Sequence, residues 1–216
     1  MIGDEAQAKA WLAALPQADS MALDRLTRLV SLLMAENQLQ NLVSVASLNA
    51  VWQRHIVDSA QLVSLAPSAL AGPWLDLGTG AGFPGLVVAC LFPDSPVVMV
   101  ESRARRIDWL QRVIDDLALP QAQVIGQRLE QVDTMKAAVI SARAFAPLDK
   151  LLSLAARFST PATVWLLPKG RSAQQELLDL GGWQHMFHVE QSLTDPLGGI
   201  IKGALTGAVG KKGRKA

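Results

Sequence analysis

Leu75-Asp76-Leu77-Gly78-Thr79-Gly80-Ala81-Gly82-Phe83-Pro84-Gly85 joins one apolar run, Trp74–Leu77, to another, Leu86–Phe92. The first run has the length of a strand and the second reads as a buried helix. Four glycines in eight residues therefore occupy a strand-to-helix corner. Glycine there permits positive φ and lets the backbone come close to a ligand. A tight turn without a ligand is the plain alternative, and four glycines in this setting argue against it.

Downstream, strand and helix patterns alternate. Val97–Val100 is a β-branched strand, and Arg103–Leu117 is an amphipathic helix with Ile107, Leu110, Val113, Ile114 and Leu117 at helical spacing. Val124-Ile125, Ala138–Ser141 and Thr163–Leu167 are further strands, with a helix near Leu148–Phe158. Residues 172–180 read as helix, and His188–Leu193 and Gly199–Ile201 as the last strands. This alternation predicts a mostly parallel sheet flanked by helices, with ligands beyond the carboxyl ends of the strands. Upstream, residues 1–70 read as helical. Asp19 or Ser20 caps a helix carrying Leu23, Leu26, Leu29, Val30 and Leu33, and Ser47 caps the next, whose face includes Val51, Trp52, Ile56, Ser59 and Leu62. The expected organisation is a helical extension over 1–70, packed on a core over 71–216.

Two registers compete at the corner. Gly80–Gly85 matches G-x-G-x-x-G, and Glu101 lies 21 residues after Gly80, where a dinucleotide enzyme holds the ribose. That register points to a nicotinamide- or flavin-dependent oxidoreductase. The first glycine after the strand is Gly78, however, and counting from it places Phe83 at the third glycine position. The register that fits is Asp-x-Gly-x-Gly-x-Gly, beginning at Asp76. It resembles motif I of class I S-adenosylmethionine-dependent methyltransferases. S-adenosylmethionine has no phosphate; it has an ammonium, a carboxylate, a sulfonium and a ribose diol. Asp76 suits the ammonium end, Gly78 and Gly80 the backbone approach, and Glu101 the two ribose hydroxyls.

Four other segments extend the resemblance: Asn41-Leu42, Arg54-His55-Ile56-Val57-Asp58-Ser59, Ala142-Arg143-Ala144-Phe145-Ala146-Pro147-Leu148 and Leu167-Pro168-Lys169-Gly170. With the glycine corner they resemble the bacterial ribosomal RNA small subunit methyltransferase G family, also called glucose-inhibited division protein B. The resemblance implies a Rossmann-like class I methyltransferase fold, α/β with a seven-stranded sheet. It implies transfer of a methyl group to N7 of guanine 527 in the 530 loop of 16S rRNA. It places cofactor contacts at Gly78, Phe83, Leu129, Glu130 and Arg143. Arg143 follows the fourth strand, where the resemblance places the residues nearest the transferred methyl, and its fork of donors suits a carboxylate or a guanine edge.

Guanine N7 has a lone pair and no proton, so the transfer needs no general base. No Ser/His/Asp or Cys/His set is evident, and His185 and His188 have no metal-ligating company, so no metal is predicted. His55, with Arg54, Asp58 and Ser59, is read as linking its helix to the glycine corner.

Composition sets the outer limits. Half of the 216 residues are hydrophobic and 18% are charged, which excludes wholesale disorder. Cys90 is the single cysteine, so an internal disulfide is excluded. No run of 18 apolar residues spans a membrane and the acidic start lacks a signal-peptide pattern, so a cytoplasmic protein is expected; a monomer is the expected state, on no sequence feature of its own. The net charge is +1, and without Lys211, Lys212, Arg214 and Lys215 it would be −3. A local basic footprint is thus expected, with Arg105, Arg106 and Lys169 as RNA contacts and 16S rRNA or small-subunit particles as partner. A non-catalytic ribosome-binding module is the third reading.

Overall fold

The computed structural model of the chain describes residues 1–208; the basic residues of the tail lie outside them. Four helices come first. Asp4 caps α1 (Glu5–Ala13) and Asp19 caps α2 (Ser20–Glu36), each accepting a backbone N–H from three residues on. The short α3 (Val45–Leu48) is capped by Ser44. Ser47, expected to cap the longer helix, lies inside α3. That longer helix opens as a π-helical turn, Trp52–Val57, and continues as α4 (Asp58–Leu65). Its cap comes from far away: the Glu5 carboxylate accepts the N–H groups of Trp52 and Gln53 at 3.1 and 2.8 Å.

The sheet begins with β1 (Trp74–Leu77), followed by α5 (Gly85–Leu91), β2 (Val97–Val100), α6 (Ala104–Asp116), β3 (Ala122–Ile125) and β4 (Val139–Ser141). Then come α7 (Leu148–Ala155), β5 (Val164–Gly170), α8 (Ala173–Leu178), β6 (Trp183–His185), β7 (His188–Gln191), β8 (Gly199–Gly203) and β9 (Leu205–Ala208). Seven strands form one sheet in the order β3-β2-β1-β4-β5-β8-β7. The pairs from β3 to β5 are parallel, and β8 runs against both β5 and β7. This is the expected mostly parallel sheet. The strand order reverses between β1 and β4, and a crevice opens there at the carboxyl ends. β6 and β9 pair as a separate ribbon that the sequence pattern did not announce.

Alternation along the strands builds two apolar layers. Trp74, Val97, Met99, Val139 and Leu166 face α5, α6 and the N-terminal helices, with Leu26, Leu29, Leu33, Ile56 and Leu62 in the same cluster. Leu75, Leu77, Val98, Val100, Ile140 and Trp165 face the other way, against Leu148, Leu151, Leu152 and Ala155 of α7. Every residue of α5 is buried, because the sheet covers one side and α2 and α4 the other. A helix covered all round carries no amphipathic period, and Leu86–Phe92 shows none. Among the described residues no helix is long and apolar enough to cross a membrane.

A candidate active site at the carboxyl edge of the sheet

Asp76 organises the corner from beneath. Its side chain is completely buried. Oδ1 accepts the Ser141 hydroxyl at 2.8 Å, and Oδ2 accepts the Gly85 N–H at 3.0 Å. Ser141 in turn accepts the Trp74 indole N–H at 2.8 Å, and Asp76 and Ser141 are register partners across β1 and β4. Burial pushes the Asp76 carboxyl above its ordinary pKa, while the bonds from Ser141 and Gly85 oppose the rise. Asp76 lines neither cavity at this edge. The sequence places Asp76 at the cofactor ammonium, directly or through water; in the structure each of its oxygens accepts one bond from inside the protein, and these bonds hold the turn.

Above Asp76 the backbone turns through Gly78 and Gly80, at φ +64° and +62°. A Cβ at Gly78 would collide with the Phe145 ring. Glu101, at the end of β2, ties the loop down: Oε2 accepts the Gly80 N–H at 3.1 Å, and Oε1 accepts those of Ser102 and Arg103 at 2.7 and 2.9 Å. Oε1 is thereby filled, and the spare acceptor capacity lies on Oε2. Glu101 lines a cavity of about 220 Å³ together with Gly78, Val100, Arg106, Leu129 and Phe145. Leu129 opens a 3-10 turn, whose first N–H groups have no partner within the turn. Glu130 is exposed and its side chain does not line this cavity.

A larger cleft, of about 660 Å³, adjoins the smaller cavity, and Ala144 and Phe145 line both. Ala144 takes a left-handed conformation, φ +53°, uncommon for a residue with a Cβ. Arg143 precedes it. Its Nη1 donates to the Arg54 carbonyl at 3.3 Å and to Asp58 Oδ2 at 3.2 Å. Its Nη2 lies 3.4 Å from His55 Nδ1. A guanidinium only donates, so Nδ1 is the acceptor and the ring proton is on Nε2, which donates to Ser47 Oγ at 2.9 Å. Burial, then the charges of Arg143 and Arg54, push the His55 pKa down to about 3, so the ring is neutral near pH 7. His55 also stacks on Phe83 at 5.0 Å, and the Arg143 guanidinium lies 5.3 Å from the same ring. The link between this helix and the glycine corner is therefore a physical stack. The π-turn helps to present Arg54, His55 and Asp58 together, as π-bulges frequently do at functional sites. Of the five guanidinium donors, Nε–H and one Nη2–H remain. They sit on adjacent nitrogens, the fork a carboxylate accepts.

Lys169 belongs to β5 itself, since that strand runs on to Gly170. Its ammonium is buried in the cleft wall, donating to the Ala146 carbonyl at 2.5 Å and to Glu176 Oε2 at 2.8 Å. Burial alone would raise the Glu176 carboxyl; hydrogen bonds from Lys169, Ser172 and the Leu148 N–H outweigh it and hold the pKa below the usual value. Arg105 is exposed and donates to the Leu39 carbonyl at 3.1 Å. Arg106 sits 3.8 Å from Glu101, so it faces the smaller cavity rather than open surface. Phe145, Glu176 and Asp195 were not singled out as site residues in the sequence. Only Phe145 had a visible signal, its place two residues after Arg143.

A model of the family described as rRNA small subunit methyltransferase G matches residues 22–194. A protein named ribosomal RNA small subunit methyltransferase G from Novosphingobium aromaticivorans is 57% identical over 203 residues, covering 93% of this chain and 88% of that protein. A protein of the same name from Erythrobacter litoralis is 53% identical, covering 94% and 97%. A solved structure described as a SAM-dependent methyltransferase from Aquifex aeolicus superposes with a TM-score of 0.55 at 14% identity, covering 78% of this chain and 97% of that one. At that identity the superposition speaks for the fold alone, which is the class I methyltransferase fold. The sheet order, the glycine corner and these matches lead to one conclusion: the chain belongs to the rRNA small subunit methyltransferase G family.

Proposed function

We propose that this chain transfers a methyl group from S-adenosylmethionine to N7 of a guanine in 16S rRNA, guanine 527 of the 530 loop. The observation that carries the reading is the uncommitted fork of Arg143 on the wall of the larger cleft, one residue before Ala144, which lines both that cleft and the nucleoside-sized cavity. The residues present fit the cofactor. Glu101 Oε2 accepts from the ribose, Leu129 and the N–H of Glu130 flank the adenine, and the Arg143 fork takes the methionine carboxylate beside Gly78 and Phe83. When bound, S-adenosylmethionine supplies an electrophilic methyl on sulfur. Guanine N7 supplies the electron pair, the new N–C bond forms as the S–C bond breaks, and the positive charge passes to the purine. No proton moves, because N7 carries none. Rate comes from alignment and from the fixed charges around the cleft.

N7 lies in the deep groove of A-form RNA, so the target guanine enters from a loop or is extruded. Lys169, with two of its three protons committed, and exposed Arg105 are the proposed RNA contacts. Arg106 serves the cofactor side. The protein is proposed to act as a cytoplasmic monomer on 16S rRNA or small-subunit particles.

The test is labelled methyl transfer to naked 16S rRNA, small-subunit particles and assembly intermediates, with nucleoside mapping. N7-methylguanine at one site is expected, and none when that guanine is replaced by 7-deazaguanine. Cofactor binding without transfer to any of the three substrates would leave a ribosome-binding module. Calorimetric binding of NAD, with none for S-adenosylmethionine, would leave an oxidoreductase.

A further inference from the structure

Three carboxylates line the larger cleft: Asp58, Glu176 and Asp195. Two are fully committed. Asp58 Oδ1 accepts from Thr194 Oγ1 and Gln61 Nε2 at 2.7 and 3.0 Å, and Oδ2 accepts from Arg143. Glu176 Oε1 accepts from Ser172 Oγ at 2.6 Å, and Oε2 from the Leu148 N–H and Lys169, both at 2.8 Å. Asp195 differs. Its Oδ1 accepts only the Leu197 N–H, at 3.0 Å, and its Oδ2 has neither a hydrogen-bond donor nor a cation among the described residues.

The loop that carries Asp195 is pinned on both sides. The Asp195 N–H donates to Ser192 Oγ at 3.3 Å, and its carbonyl accepts from the Gly198 N–H and Gln191 Nε2 at 3.0 and 3.1 Å. Thr194, one residue earlier, bonds Asp58, which bonds Arg143. The free carboxylate oxygen is thus held on the cleft wall, one residue along the chain from the network that positions the guanidinium. Adaptable surface charges lack such bracing.

We propose that Asp195 reads the Watson–Crick edge of the target base and so selects guanine. The inference rests on the methyl-transfer reading above. Guanine presents N1–H and the N2 amine as adjacent donors on the edge opposite N7. When N7 is turned toward the methyl beside Arg143, that edge faces away from the guanidinium and into the cleft. A carboxylate only accepts, and it matches two neighbouring donors. Adenine presents the N1 lone pair at the same place and has no N2 amine, so it meets Asp195 with repulsion.

The experiment compares target RNA carrying guanine with RNA carrying inosine at the same position. Inosine keeps N7, O6 and N1–H and lacks only the N2 amine. For the unmodified protein, kcat/KM falls about 10- to 100-fold on inosine, the range for losing a hydrogen bond to a charged group. In D195A and D195N the guanine rate falls and the guanine-to-inosine ratio collapses to about one. Circular dichroism reports the fold of each variant, and the inosine comparison on the unmodified protein needs no variant at all. Equal rates on guanine and inosine, or an unchanged ratio in both variants, would overturn the assignment. Equal rates overturn it alone; no transfer to guanine in any substrate overturns the methyl-transfer reading with it.

Discussion

The Arg143 guanidinium reaches across the cleft from the loop after β4 to Asp58, at the start of α4, with Nη1 3.2 Å from Oδ2. The two residues are 85 positions apart in sequence. Asp58→Asn keeps the shape and removes the charge, so the fork loses its orientation. Turnover is expected to fall about 100-fold, the scale of a small misplacement near the reacting atoms. Arg143→Ala abolishes transfer while circular dichroism stays unchanged, and Arg143→Lys does not restore it, because an ammonium has no planar fork. Near-normal turnover in Arg143→Ala would remove Arg143 from the site.

His55 makes stability depend on pH. Its folded pKa, about 3, lies below the unfolded value near 6.5. Its stabilising contribution is therefore complete above pH 6.5 and is lost as the pH falls, because only the unfolded chain takes up the proton there. The slope is about 1.4 kcal/mol per pH unit, which gives up to about 2 kcal/mol between pH 6.5 and 5. Urea unfolding at both pH values should show this loss in the unmodified protein and a smaller one in His55→Gln.

Gly78 and Phe145 are coupled. Gly78→Ala adds left-handed strain of about 1–2 kcal/mol and drives the new methyl into the Phe145 ring. Removing the ring with Phe145→Ala relieves the collision and leaves the strain. Calorimetric affinities for S-adenosylmethionine should therefore be non-additive, the double variant binding more tightly than the two single changes together imply. Simple additivity would mean that the ring does not crowd the glycine in solution.

Asp76→Ala leaves the Ser141 hydroxyl and the Gly85 N–H buried without an acceptor. Each is worth about 1–3 kcal/mol, so denaturant midpoints should fall sharply, and less so for Asp76→Asn. Unchanged midpoints in the alanine variant would show that these two bonds do not carry the turn.

The sequence carried the local features well. Trp74–Leu77 and Val97–Val100 are strands over the same residues that their apolar runs mark, because a fully buried parallel strand needs both faces apolar. The glycine corner was legible because the strand-to-helix turn restricts which residues fit. What stayed hidden depends on distant partners. The π-turn is capped by Glu5, and no local pattern at 44–57 announces a carboxylate near the chain start. β6 (Trp183-Gln184-His185) and β9 (Leu205-Thr206-Gly207-Ala208) are as short as β1 and β2 but carry no β-branched or apolar run to mark them. A buried acid and a ligand-facing acid look alike in one dimension, so the bonds from Asp76 to Ser141 and Gly85 were not legible in the sequence. Glu176 and Asp195 become cleft residues only when α8 and the β7–β8 loop close on Arg143's surroundings.

Thr194 and Asp58, bonded at 2.7 Å, are 136 residues apart along the chain. In an unfolded chain the groups around the two cavities are scattered and hold nothing. Ligand binding then favours the folded state alone, by about 2.7 kcal/mol when the free ligand is at a hundredfold excess over its Kd. The persistence of this protein against unfolding and proteolysis is thereby tied to the supply of methyl donor: the enzyme lasts longest where it has something to transfer.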